Sequence, residues 1–174
     1  MELIGQEYVP MVAAPELAVS EWMNAAGDVS LARLRGEVVV IEAFQMLCPG
    51  CVAHGIPLAQ RVQAAFGSAL TVLGLHTVFE HHEAMRPVSL AAFLHEYGVR
   101  FPVGVDAAES GFDMPVTMRA YGLRGTPSLL VIDRDGRLRL NAFGRVDDLS
   151  LGALLARLID ESPPVEPEGD PAAG

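Results

Sequence analysis

Cys48-Pro49-Gly50-Cys51 sets two thiols two residues apart, and they are the only cysteines in 174 residues. That spacing lets two sulfurs close a disulfide across the first turn of a helix. The stretch just ahead, Val38-Val39-Val40-Ile41, is apolar and β-branched, and a helical pattern follows, so the pair falls at a strand-to-helix junction. There the helix N-terminus stabilises a thiolate and leaves the first sulfur accessible. Residue type and spacing point to a redox centre rather than a structural staple. An inert pair, or half of a metal site, is the alternative; one chain supplies two thiolates, so four-sulfur coordination requires two chains. His76, Glu80, His81, His82 and Glu83 also have ligand chemistry. Adjacent histidines in a loop rarely face the same way, so no metal and no cofactor is assigned. Residues 79–87 are read instead as an insertion that shapes a lid or a partner surface.

The length suits one domain with a full-sized core. Hydrophobic residues make up 51% of the chain, yet no apolar run approaches the roughly 18–20 residues of a membrane span. The start, Met1-Glu2-Leu3-Ile4-Gly5-Gln6-Glu7, is acidic and has neither the positive segment nor the apolar core of a secretory signal. The expected location is cytoplasmic. In a reducing cytosol, C-x-x-C at a βα junction reads as redox chemistry more often than as a permanent disulfide. The net charge is −10 and every basic residue is arginine. Nucleic acid and anionic membrane are therefore poor partners. Without lysine, cationic tuning of the thiols falls to Arg, His or the helix dipole.

The elements that must position the thiols follow from periodicity and punctuation. Residues 1–19, with Pro10 and Pro15, read as an extended N-terminal lead-in. Trp22-Met23-Asn24 suggests a short strand with a turn after it, and Leu31 to Arg35 a short helical or turn segment ending at Gly36. Residues 38–44 form a near-continuous apolar run, as expected of a strand buried on both faces. A helix over about 50–66 carries Gly55 and Pro57, which predict a kink or register change near 53–57. A second buried strand covers 70–78, a helix 88–97, a short strand 101–104, and 106–113 is rich in turn residues. Pro115 to Tyr121 suits a short helix closed by Gly122. Ser128–Asp133 and Leu138–Phe143 flank a turn at Asp135-Gly136 and read as a β-hairpin. A last helix at 147–160 has Asp147 and Asp148 at its N-terminus, and 162–174 is an acidic, Pro-rich tail expected to be disordered. The order β-α-β-α, hairpin, helix is an α/β layer design with the cysteines at the carboxyl end of a strand.

Three segments carry a resemblance to the thioredoxin superfamily, most closely its TlpA-like/redoxin branch, which is labelled AhpC/TSA. Val39 to Cys51 resembles the strand–C-x-x-C–helix unit. Tyr121-Gly122-Leu123-Arg124-Gly125-Thr126-Pro127-Ser128 is similar to the segment that presents a cis-proline to the cysteines. Leu130 to Leu138 resembles the closing hairpin. The resemblance covers about residues 20 to 160 and implies one thioredoxin-like α/β domain over 20–161. That domain is a central mixed β-sheet flanked by helices, with an N-terminal extension and one insertion. Three departures stand out. Leu47 replaces the usual Trp before the first cysteine. Pro57 falls six residues after Cys51, one later than usual, which predicts a bulge. The peroxidatic P-x-x-x-T-x-x-C pattern is missing, with Ile41 and Gln45 where Pro and Thr would stand.

From the resemblance, Cys48 is the expected nucleophile and Cys51 the resolving thiol. Glu42 matches the buried acid that takes the Cys51 proton through a water. Thr126 and Pro127 are expected to form a cis peptide opposite the cysteines, exposing the Thr126 backbone to an extended substrate. His54 lies one turn after Cys51, where relatives carry a glutamate, and an imidazole there would stabilise thiolate or relay protons. The implied activity is thiol–disulfide exchange, reducing protein or small-molecule disulfides, with a separate reductase restoring the dithiol. The alternatives are an atypical thiol-dependent peroxidase and a metal- or cluster-bridging binding protein.

Overall fold

The computed structural model describes residues 12–161; the predicted tail at 162–174 and the first part of the lead-in lie outside the described residues. Six strands form one sheet: β1 (Val19–Met23), β2 (Val39–Phe44), β3 (Thr71–His76), β4 (Val103–Asp106), β5 (Ser128–Ile132) and β6 (Leu138–Phe143). Their order across the sheet is β1-β4-β3-β2-β5-β6. β2, β3 and β4 run parallel, while β1 pairs antiparallel with β4, β5 with β2 and β6 with β5, so the sheet is mixed. The helices are α1 (Ile56–Phe66), α2 (Pro87–Glu96), α3 (Val116–Ala120) and α4 (Asp148–Asp160).

β2 is buried at all six positions because it lies between β3 and β5 and both of its faces are covered. Side chains alternate across a strand, and β2 divides accordingly. Val38, Val40 and Phe44 join the core formed with Ile56 and Val62 of α1, Leu90 of α2 and Leu151 of α4. Val39, Ile41 and Ala43 join a second core with Met118 of α3, Leu75 and Ile132. Such a strand shows no polar alternation, which is why its sequence reads as a continuous apolar run. Glu42 has the parity of Val40 and Phe44 and so points to the α1 and α4 side. Gly74 lets β3 sit close to its neighbours: a Cβ there would meet Val103 Cγ2 at 2.9 Å and the Phe101 ring at 3.1 Å.

Several elements differ from their sequence expectation. β1 starts at Val19, three residues early, because it pairs with β4 through an irregularity between Val19 and Glu21. β4 covers 103–106 instead of 101–104, and Phe101 is buried beneath it. Residues 12–18 are tied to the domain: Ala13 bridges to Arg137, the Leu138 N–H donates to the Val12 carbonyl at 2.9 Å, and Leu17 packs on the second core. The 79–87 segment contains a 3₁₀ turn over His82–Met85 and is anchored by buried Met85. In the cysteine helix, the break expected near 53–57 is a π-helical turn over Cys51–Gly55, with regular α-helix resuming at Ile56. The extra residue before Pro57 is absorbed there, as π-bulges absorb insertions.

Candidate active site

β2 delivers the chain to the site and the π-turn leads it away. Between them, buried Gln45 accepts the Phe79 N–H at 3.3 Å, and the Thr77 N–H donates to the Phe44 carbonyl at 3.1 Å. These bonds fix the loop to the end of β3. Cys48 and Cys51 are joined by a disulfide, with Cα atoms 5.2 Å apart. Cys48 is half-buried and Cys51 fully buried, so the first sulfur is the one a substrate can reach. The Cys51 N–H donates to Cys48 Sγ at 3.1 Å. In the reduced protein, the same N–H at a helix start would favour negative charge on that sulfur.

Thr126-Pro127 is a cis peptide, and the Thr126 carbonyl lies 3.4 Å from Cys48 Sγ. The proline ring packs against the cysteine turn, since a Cβ on Gly50 would meet Pro127 Cδ at 3.1 Å. Two bonds hold this loop: Ser128 Oγ donates to the Gly125 carbonyl at 2.8 Å, and the Gly144 N–H to the Pro127 carbonyl at 2.8 Å. The Phe143 ring lies against Gly125 and remains half-exposed, with the Arg124 guanidinium 5.7 Å from its centroid. Leu47, beside Cys48, is also exposed.

Glu42 is buried, and its Oε1 has no hydrogen-bond partner among the described residues. Burial pushes its carboxyl well above the ordinary range, because the charged form loses hydration. A Cβ on Gly55 would overlap Glu42 Oε1 and come within 3.0 Å of Pro127 Cβ. Glu42 lies on a cleft of about 130 Å³ whose walls include His54, Arg61, Arg145 and Asp148. His54 is therefore an exposed wall residue on Glu42's cleft. Arg61 is bound to Asp148 at 2.8 Å across that cleft.

The remaining histidines do not converge. His76 is buried 5.4 Å from the Phe44 ring, with neither ring nitrogen bonded among the described residues, and burial lowers it to about 4. His81 and His82 are exposed, as are Glu80 and Glu83. Among the described residues, no three His, Cys, Asp or Glu side chains are grouped to hold a metal. Sequence reasoning missed Gly55, Phe143 and Arg145. For Gly55 a signal existed in the extra residue before Pro57. The other two lie more than 90 residues beyond the cysteines, and the fold brings them near.

The AhpC/TSA family model matches residues 10–141. Protein DipZ of Mycobacterium bovis and of Mycobacterium tuberculosis is 29% identical over 155 residues, covering 87% of this chain and 21% of DipZ. The chain thus spans about a fifth of the length of these curated relatives. The crystal structure of a thioredoxin-like superfamily protein matches with a TM-score of 0.86 and 63% identity, over 89% of this chain and all of the other. A thiol-disulfide isomerase from Corynebacterium glutamicum matches with a TM-score of 0.81 and 49% identity, over 88% of this chain and 97% of the other. The fold is thioredoxin-like.

Proposed function

The chain belongs to the AhpC/TSA family, and from that footing we propose that it is a thiol–disulfide oxidoreductase that reduces disulfides in polypeptides. One observation carries the reading: a reachable Cys48 sulfur receives the Cys51 N–H, while its partner sulfur is sealed in the core. The reduced Cys48 thiolate attacks a substrate disulfide and forms a mixed disulfide, releasing the first substrate thiol. Cys51 then loses its proton and attacks Cys48 Sγ. The Cys48–Cys51 disulfide forms, the second substrate thiol leaves, and two electrons have passed to the substrate. Glu42 is the proton acceptor for Cys51, its buried carboxyl being a stronger base than an exposed one. Exposed Leu47 and Phe143 favour a polypeptide substrate over a small disulfide, because they offer apolar surface next to Cys48 in the chain and against Gly125, beside the Thr126 carbonyl that meets Cys48 Sγ. Gln45 supports exchange over peroxidase chemistry: it stands where a peroxide-activating hydroxyl would be, and its side chain is engaged by the Phe79 N–H.

The direction, reductive and cytoplasmic, is part of the same proposal, with a separate reductase returning electrons to the pair. Insulin reduction is the direct test. Cys48→Ser is expected to abolish it, and Cys51→Ser to accumulate a mixed disulfide through Cys48. Peroxide consumption without insulin reduction would replace this reading with the peroxidase one. A couple near about −270 mV fits a reductase, and one near about −120 mV reverses the direction to disulfide delivery.

A further inference from the structure

The cleft beside Glu42 has a property that the exchange mechanism does not use. Its walls are His54 from the π-turn, Arg61 and Leu58 from α1, Leu129 from β5, and Arg145 and Asp148 from the segment entering α4. Neither cysteine borders it, nor do Pro49, Thr126 or Pro127. At about 130 Å³ it has room for several waters. Its rim is exposed at Ala53, His54 and Arg145, so water entering it would exchange with bulk. Glu42 is the buried member, its Oε1 unpartnered among the described residues and set beside a residue without a side chain.

We infer that Gly55, at the end of the π-turn, is a positioning residue that makes room for the Glu42 carboxyl at a rear port, so that Glu42 exchanges its proton with water while a substrate covers Cys48. The inference rests on the proposed exchange reaction and adds the route by which its proton leaves. In the resolving step a proton passes from Cys51 to Glu42 and the electron pair from Cys51 to Cys48 Sγ. The departing substrate thiolate takes a proton from solvent, and Glu42 returns its own through the cleft. A port on the substrate face would be sealed by the polypeptide at the moment Cys51 must ionise. The rear port separates the two events. An alanine at 55 would drive its Cβ into Glu42 Oε1, while a glutamate shortened to aspartate withdraws the carboxyl by one methylene and restores the room. The charged and titratable groups facing the carboxyl are His54, Arg61, Arg145 and Asp148, and Arg61 is paired with Asp148.

Infrared difference spectroscopy on protein that is not turning over tests this. The Glu42 carboxylic C=O band is assigned by its loss in Glu42→Gln. It is then titrated, and exchanged into D₂O, in Cys51→Ser with Cys48 either free or capped by a long peptide as a mixed disulfide. The expected result is the same rate of exchange with and without the cap. A cap that slows exchange tenfold or more overturns the rear port. Gly55→Ala is expected to move the midpoint by about one unit, tenfold in proton affinity, and Gly55→Ala/Glu42→Asp to move it back. A Gly55→Ala protein with the original midpoint overturns the positioning role. If Gly55→Ala does not fold, the comparison of capped with free protein decides alone. Because no band depends on insulin reduction, failure here is distinct from failure of the proposed activity.

Discussion

Phe143 and Leu47 keep large apolar side chains in water, at 48% and 58% exposure, Leu47 next to Cys48 in the chain and Phe143 against Gly125. Fully burying such a side chain is worth about 1.5–3 kcal/mol, so covering the exposed half of Phe143 on substrate binding contributes about 1 kcal/mol. Phe143→Ala is accordingly expected to raise KM for a polypeptide disulfide roughly fivefold, leaving exchange with a small aromatic disulfide unchanged. Val88→Ala, which trims an exposed side chain on α2, serves as the control and should alter neither. Equal losses on both substrates would assign Phe143 to support of the Gly125–Pro127 loop instead of substrate contact. Steady-state kinetics with the two substrates separate these outcomes.

Asp106 joins three elements that the sequence leaves far apart. Its carboxylate accepts the Thr117 N–H at 2.8 Å, the Met118 N–H at 2.9 Å and the Thr77 hydroxyl at 2.9 Å. It thus caps the first turn of α3 and ties it to the ends of β3 and β4. α3 leads through Gly122 to the Thr126-Pro127 loop, so this cap also supports the site. Hydrogen bonds to a charged group contribute about 1.5–3 kcal/mol each, with incomplete additivity. Asp106→Ala is expected to destabilise the protein by about 3–4 kcal/mol in denaturant unfolding. A loss below about 1 kcal/mol would mean α3 is held by packing alone. The same elements show what a sequence discloses. β2, the cysteine turn and the β5–β6 hairpin were legible because each is specified locally, by a continuous apolar run, a spacing or a turn dipeptide, whereas the Thr126-Pro127 loop was expected only from the resemblance of residues 121–128. The site residues Gly55 and Phe143 and the structural Asp106 were not. Each owes its place to a partner remote in the chain: Gly55 to Glu42 and Pro127, Phe143 to Gly125, Asp106 to Thr77 and Thr117. The first strand was misplaced for a related reason, since its limits are set by antiparallel pairing with β4 and not by its own pattern. The extra residue before Pro57 announced an irregularity, but counting residues does not reveal that a π-turn accommodates it.

Across the whole molecule, two buried groups on the α1/α4 side of the sheet, Glu42 and His76, set opposing pH dependences. His76, lowered from 6.5 to about 4, resists protonation when folded. Between those limits the unfolded chain binds one more proton, so stability rises with pH by about 1.4 kcal/mol per unit, or about 3 kcal/mol in all. Glu42 is raised well above 4.5 by burial, so the folded protein holds a proton the unfolded chain has released. Its contribution is complete below 4.5 and is lost as pH rises toward the folded value. Asp106, also raised by burial, adds to that falling limb in the native protein and in both variants below. From 4.5 to 6.5 the rising and falling terms overlap and oppose one another in the native protein's stability profile. Removing either group tilts it. Glu42→Gln, which mimics the protonated acid, leaves His76 uncompensated, so stability climbs with pH through the window relative to the native chain. His76→Leu removes two ring nitrogens that have no partner among the described residues and leaves Glu42 uncompensated, so stability declines instead. Denaturant unfolding of the oxidised protein at several pH values within that window reads both slopes. Opposite tilts would place both protonation costs inside the folded core, whereas parallel profiles for all three proteins would show that neither group is held away from its ordinary proton affinity.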